Sequence, residues 1–247
     1  MTTLVTGAGS PVTVVAHGLG ASLAETRPLL SGVPGTRVFL QARGHGDAPA
    51  PEQPGYAELA ADLLAAADAH HATQALGVSL GAATLLRLLA THPDRFARVV
   101  LFLPAALDAP RHDHAVRRVA ALAAALSAGD REAVLTAVRA ELPSDLSGPA
   151  VEAYAGSRTD FLLASPALPA LLEALPEDPP VRSRTQLAAV TADVLVIAQQ
   201  DDPLHPAQVA RELVAVLPHA RLVVFDRPGV LFRDRARLRE LVAGHLG

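Results

Sequence analysis

The stretch QALGVSLGAATLLRLLATHP, residues 74–93, decides the fold. Gln74–Gly77 reads as a short strand, Val78–Ser79 as a turn, and Leu80–Thr91 as a helix. The helix stops at His92-Pro93, because a proline disfavours helical backbone in the residue before it. Gly77 and Gly81 flank Ser79 in the pattern G-x-S-x-G. A serine squeezed between strand and helix has strained backbone angles, so the side chains two residues away on either side must be tiny. Its Oγ then stands clear of the sheet at a helix N-terminus, where the dipole favours developing negative charge. A serine N-cap in an ordinary glycine-rich turn would use the same letters. The strand before and the helix after favour the reading as an exposed nucleophile.

Outward from this segment, short β-branched runs alternate with longer helical patterns, the signature of a parallel sheet with crossover helices. Val12–Ala16 reads as a strand, followed by the turn HGLG and a helix from about Ser22 to Leu30. Arg37–Leu40 is a second strand, leading into a loop too rich in Gly and Pro for regular structure. Tyr56 to Ala69 is an alanine-rich helix, and Val99–Leu103 a buried strand. From about Asp108 to Arg184 the alternation gives way to amphipathic helical patterns at Val116–Ala128, Asp130–Leu142, Ala150–Leu163 and Pro166–Leu175. The rhythm resumes with strand Asp193–Ala198, helix Pro206–Leu217, strand Arg221–Phe225 and a last helix Asp234–His245. The expectation is an α/β class with a mostly parallel central sheet flanked by helices. Residues 1–107 and 185–247 would form the core, and residues 108–184 a helical cap.

Composition narrows the function classes. The 247 residues are 50% apolar and 19% charged, enough for one large core without lipid. No run approaches the roughly 18 apolar residues of a membrane span. The start, MTTLVTGAGSPVTVV, lacks the basic region of a signal peptide. There is no cysteine, so disulfides, thiolate metal sites and a cysteine nucleophile are excluded. The net charge is −4, and the basic residues are scattered arginines with no lysine among them, unlike a nucleic-acid footprint. These features predict a cytoplasmic domain that binds neither nucleic acid nor membrane. They leave the oligomeric state open, a homo-oligomer included.

Two further segments bear on chemistry. In His17–Gly20, after the first strand, a glycine lets backbone N–H groups approach a reacting oxyanion, and the amides of Leu19 and Leu80 are the natural donor pair. Asp201 and Asp202 follow strand Asp193–Ala198 at the start of a helix they could cap.

His17-Gly18, the loop Arg43-Gly44-His45-Gly46-Asp47, the segment around Ser79, THPDRFARVVLFLPA (91–105) and VLVIAQQDDPLHP (194–206) occur in the order seen in the α/β-hydrolase superfamily. The chain resembles its small-molecule esterase, lactonase and thioesterase-like members over essentially its whole length. The match is weakest over 108–184, where that family carries a variable cap. The resemblance implies a pocket between cap and core, a triad in the order Ser, Asp, His, and no metal or organic cofactor. Spacing to Pro206, in the family's G-x-x-D-x-x-x-P pattern, selects Asp202 as the acid, with Asp201 the neighbouring alternative and Gln199 in place of the glycine.

The final strand departs from the pattern. The family places its general base in a Gly-His loop there, whereas this chain has Gly229-Val230. Valine accepts no proton, so the expected triad is incomplete. His205, three residues beyond Asp202, is the best-placed surrogate, although a rim residue at a helix start is the blander reading. His17, Gly18 and Val230 are expected at the pocket, with His17 and His45 supporting loops. Phe161, Leu162 and Leu163 would line the pocket if their helix faces Ser79. The remaining histidines read as helix ends or solvated faces, and His112 and His114 lack further metal ligands.

Two functions are compatible with these residues. One is a serine hydrolase or acyl-transfer enzyme acting on a small, apolar ester, thioester or lactone, with an atypical base. The other is a non-hydrolytic protein of the same fold that binds a small molecule or catalyses cyclisation, isomerisation or elimination. Val230 favours the second.

Overall fold

A computed structural model describes residues 2–247. Its strands are β1 (Thr2–Gly7), β2 (Val12–Ala16), β3 (Thr36–Gln41), β4 (Gln74–Val78), β5 (Arg98–Phe102), β6 (Asp193–Gln199) and β7 (Ala220–Phe225). They form one seven-stranded sheet in the order β1-β3-β2-β4-β5-β6-β7. Every neighbouring pair is parallel except β1 with β3, which is antiparallel, with Leu4 opposite Phe39. β1 was not set apart in the sequence, because TTLVTG is short, half exposed and separated from β2 by only a glycine-rich turn.

Both faces of the sheet are covered, which explains why its central strands are apolar without alternation. Successive side chains point to opposite faces. Val14, Ala75, Val99 and Val194 pack with Leu63 and Ala66 of α2 (Tyr56–Ala69), Leu85 and Leu88 of α3 (Leu80–Leu89) and Leu213 of α8 (Ala207–Val216). Val15, Leu76, Val100 and Leu195 pack on the other face with Leu30, and with Leu238 and Val242 of α10 (Arg235–Leu246). The expected helix Ser22–Leu30 divides into α1 (Leu23–Thr26) and a 3-10 turn (Arg27–Leu30). Pro28 has no N–H to donate to a continuing α-helix.

Between β5 and β6 lie α4 (His114–Ser127), α5 (Arg131–Glu141), α6 (Pro149–Leu163) and α7 (Leu168–Ala174). Asp113 and Asp130 cap α4 and α5, each carboxylate accepting a first-turn amide. These four helices share an apolar cluster of their own, built on Leu122, Val134, Val138, Ala155, Leu162 and Leu172, against which Leu19 also packs. A four-residue helix that the sequence did not reveal, α9 (Val230–Arg233), comes directly after Gly229.

The junction of β4 and α3 leaves no room for a side chain. Gly77 lies opposite Ala16 in the β2–β4 register. A Cβ on Gly77 would stand 2.4 Å from the Gly81 carbonyl carbon, and a Cβ on Gly81 would stand 2.1 Å from the Ala16 carbonyl oxygen. Both partners are backbone atoms and cannot swing aside. Gly81→Ala is therefore expected to cost about 3 kcal/mol of stability or prevent folding. Gly156 in α6 has nothing within 4 Å of its Cβ position. Gly156→Ala should instead gain about 0.5–1 kcal/mol. Urea unfolding of the two variants beside the parent checks both signs.

Candidate active site

Ser79 sits at φ 49°, ψ −103°, a conformation that L-residues rarely adopt. Its N–H donates to Phe102 O at 2.9 Å and its carbonyl accepts from Ala83 N at 3.0 Å, so β5 and the first turn of α3 hold the strained turn. The neighbouring parallel strands also end in non-glycine residues at positive φ, Leu103 after β5 and Asp201 after β6, both at 53°. Ligand sites of open α/β sheets form outside the carboxyl ends of parallel strands, and Ser79 stands there.

The loop after β6 comes to meet it. His205 Nε2 lies 2.9 Å from Ser79 Oγ, and His205 Nδ1 lies 2.9 Å from Asp202 Oδ2. A carboxylate only accepts, so Nδ1–H donates to Asp202, and in the neutral ring Nε2 is left to accept the serine hydroxyl. Asp202 Oδ1 accepts the amides of Leu204 at 2.8 Å and His205 at 3.1 Å, and Oδ2 also accepts Gln199 Nε2 at 2.6 Å. Burial opposes the charge on Asp202, but the bonds from His205, Gln199 and the Leu204 amide outweigh it and hold the carboxyl well below the usual carboxylate range. The neighbouring Asp201 makes none of these contacts.

Gln199, which replaces the glycine of the resembled pattern, has a second task. Its Oε1 accepts the amides of Gly229 at 3.0 Å and Val230 at 3.2 Å. One side chain thus ties the loop after β7 to the carboxylate that holds His205. Val230 is 1% exposed and packs with Phe225 and Leu238, while its surface faces the cavity over Ser79. Sequence spacing placed His205 within reach of this site, but only the turn around Asp202 brings its ring to Ser79. The signal was present as Asp-x-x-His, a spacing that lets a carboxylate receive both the backbone N–H and the ring N–H of one residue.

Opposite this loop, the segment His17–Gly20 lies against the turn that carries Ser79. A Cβ on Gly18 would stand 3.7 Å from Ser79 Cβ. Gly18, Leu19 and Leu80 line the cavity, and Leu80 N belongs to the first turn of α3, where amides lack intrahelical acceptors. His17 is not part of that wall. Its ring is buried behind the loop, with Nδ1 donating to Gly18 O at 2.8 Å and Nε2 accepting Ala42 N at 3.0 Å. His45 does the same one turn away, Nδ1 donating to Arg43 O at 3.0 Å and Nε2 accepting Gly20 N at 2.9 Å. The two rings meet edge to face at 4.8 Å.

The helices between β5 and β6 reach both loops. From α6, Arg158 donates to the carbonyls of Leu19 and Gly20, each at 3.2 Å, and pairs with Glu25 at 3.1 Å and Glu141 at 3.4 Å. Arg111, just before α4, donates to Leu204 O at 2.9 Å and pairs with Asp113. Between helices and sheet lies a cavity of about 820 Å³ with Ser79, Asp202 and His205 in its wall. Leu162 lines it, whereas Phe161 turns towards Gly46 and Leu163 packs among the helices. Among the described residues no group of three or more His, Asp or Glu is arranged to hold a metal ion, and no helix is long and apolar enough to cross a membrane.

Burial pushes the His45 ring down to about 3, with the adjacent His17 adding to the effect, and burial lowers His17 as well. Both rings are neutral in the fold and titrate normally when unfolded, so their contribution is complete above about pH 6.5 and declines as pH falls toward the folded value. Asp202 acts in the same direction but only below its unfolded value near 3.8. Between pH 6.5 and 4.5 the parent should therefore lose about 2 kcal/mol more stability than His45→Gln. Urea unfolding across that range measures the difference.

A family model described as alpha/beta hydrolase fold matches residues 11–229. No curated protein matches the chain. Among solved structures, an esterase from Exiguobacterium antarcticum aligns with a TM-score of 0.83 at 19% identity, covering 99% of this chain and 94% of that one. An enol-lactonase from Burkholderia xenovorans LB400 aligns at 0.82 and 22% identity, covering 99% and 95%. A 2-hydroxy-6-oxo-6-phenylhexa-2,4-dienoate hydrolase from Rhodococcus sp. strain RHA1 aligns at 0.79 and 23%, covering 97% and 92%. At such identities the likeness speaks to the fold. With its family-model match spanning most of its length, the chain belongs to the alpha/beta hydrolase fold family.

Proposed function

We propose that the chain is a serine hydrolase acting on a small ester, thioester or lactone, with Ser79 as nucleophile, His205 as general base and Asp202 as the acid that orients it. The observation that carries this reading is the unbroken contact from Asp202 through His205 to Ser79, 2.9 Å at each step. In the mechanism, His205 Nε2 takes the Ser79 proton as Oγ attacks the carbonyl carbon. The developing imidazolium is stabilised by Asp202, whose lowered proton affinity keeps it ionised. The oxyanion is received by the amides of Leu19 and Leu80. His205 then protonates the leaving alcohol, thiol or hydroxyl, and a water activated by the same nitrogen hydrolyses the acyl-enzyme. Residues 108–184 act as the cap over this chemistry, and Val230 as an aliphatic wall.

The triad order Ser, Asp, His is kept, but the base arrives from the β6–α8 loop instead of the loop after β7. The case for a non-hydrolytic function rested on the valine at 230, and it weakens once an imidazole lies beside Ser79.

A fluorophosphonate probe should add its mass to the parent and not to Ser79→Ala, read by intact-protein mass spectrometry. On p-nitrophenyl esters, His205→Ala should lower kcat by about a thousandfold or more. Val230→Ala should change KM while leaving kcat within about threefold, since a wall residue contributes to binding alike in ground and transition states. Labelling that persists without Ser79, or full turnover without His205, would sink the proposal.

A further inference from the structure

Resting on this assignment of Ser79, we infer that the site takes an uncharged, aliphatic acyl group and rejects substrates whose acyl chain carries a carboxylate. The cavity wall holds six carboxylates, from Glu25, Asp130, Glu132, Glu141, Asp178 and Asp202, against the guanidiniums of Arg111, Arg118 and Arg158. Two of these three cations are already paired with carboxylates. Arg158 is held between Glu25 and Glu141, and its terminal nitrogens also donate to Leu19 O and Gly20 O, while its buried Nε has no partner. Arg111 is paired with Asp113 and bonded to Leu204 O. Arg118 donates to the Ala140 carbonyl. Behind the wall, Asp178 has Arg87 at 2.6 Å, while Asp130 and Glu132 have no ion-pair partner among the described residues. Counting Asp113 and Arg87, seven carboxylates face four guanidiniums.

Much of the rest of the lining is aliphatic. Leu122 and Ala125 of α4, Leu162 of α6, Leu168 and Leu172 of α7, and Val230 enclose the space. A volume of about 820 Å³ lies toward the upper end of ordinary ligand sites, far more than an acetyl group fills. An alkyl chain entering it leaves water for like surface. A carboxylate entering it would lose hydration, compete with Glu25, Glu141 and Asp113 for Arg158 and Arg111, and meet an excess of charge of its own sign.

The Glu25–Arg158–Glu141 cluster thus has two consequences. It turns Arg158 toward the backbone of the Leu19–Gly20 loop, and it offsets a half-buried cation that a ligand acid could otherwise have used. Tyr154 Oη donates to Glu25 at 3.1 Å and holds that carboxylate in place.

The test compares three p-nitrophenyl esters of one chain length on the full-length protein: the hexanoate, the adipate hemiester and the adipate methyl ester. Binding is measured calorimetrically on Ser79→Ala, so the outcome does not depend on turnover, and hydrolysis is followed separately on the parent. The hexanoate and the methyl ester should bind Ser79→Ala within a few-fold of each other, and the hemiester at least about tenfold more weakly. In Ser79→Ala/Glu141→Gln the gap should narrow, because one carboxylate is gone and Arg158 keeps a single counter-charge. A hemiester that binds as tightly as the hexanoate overturns the inference, as does failure of both uncharged esters to bind or a gap unchanged by Glu141→Gln. Selective binding to Ser79→Ala without hydrolysis by the parent would uphold the charge preference and overturn the hydrolase reading alone.

Discussion

The structure depends on one close approach, that of the Gly81 α-carbon to the Ala16 carbonyl oxygen, where even a methyl group would stand at 2.1 Å. Because α3 can begin directly against β2, the residue that opens the helix projects from the end of the sheet beside the loop that leaves β2. That loop begins His17-Gly18-Leu19. Two segments sixty residues apart therefore share one small volume without any side chain intervening. The bond from Ser79 N to Phe102 O adds β5 to the same junction. The sheet core on both faces supplies the stability against which this crowded backbone is held.

The loop after β6 is organised differently. Asp202 gathers four donors, three from its own turn and one from Gln199, and the His205 ring is the only member that points outward to the serine. Placing acid and imidazole three residues apart makes their mutual geometry a property of one turn. In the pattern this family uses more widely, the two come from separate loops. The loop after β7, freed of an imidazole, is left with an aliphatic side chain and two amides. Gln199 satisfies both amides from the same side chain that steadies Asp202.

Much of this was legible in the sequence. The G-x-S-x-G segment, the alternation of strand and helix patterns and the interruption over 108–184 are local signals, because period and glycine spacing are written in consecutive residues. Ser79, Asp202, Leu19 and Leu80 line one cavity. β1 escaped because its antiparallel partner is far away in the sequence, Thr2 pairing with Gln41, and its own pattern is weak. His205 was noticed, but its reach to Ser79 goes with the register of β4, β5 and β6, the positive φ at Asp201, and the bond from Arg111 to Leu204 O. His17 was expected at the pocket and instead stands behind it, since its ring serves the backbone of two loops. The roles of Arg158 and Gln199 were invisible because both act on partners far away in sequence.

Arg158 and Arg111 reach from the helical segment between β5 and β6 to carbonyls on the two loops that flank Ser79. Each bond crosses from the helical segment into a loop beside Ser79. A substitution in those helices is thus not free to alter the cavity alone: a shift of α6 or of the turn before α4 is transmitted to backbone beside Ser79. For exchange of this segment between relatives, the two arginines and the carbonyls they hold form a single inheritable unit, which must be moved together or not at all.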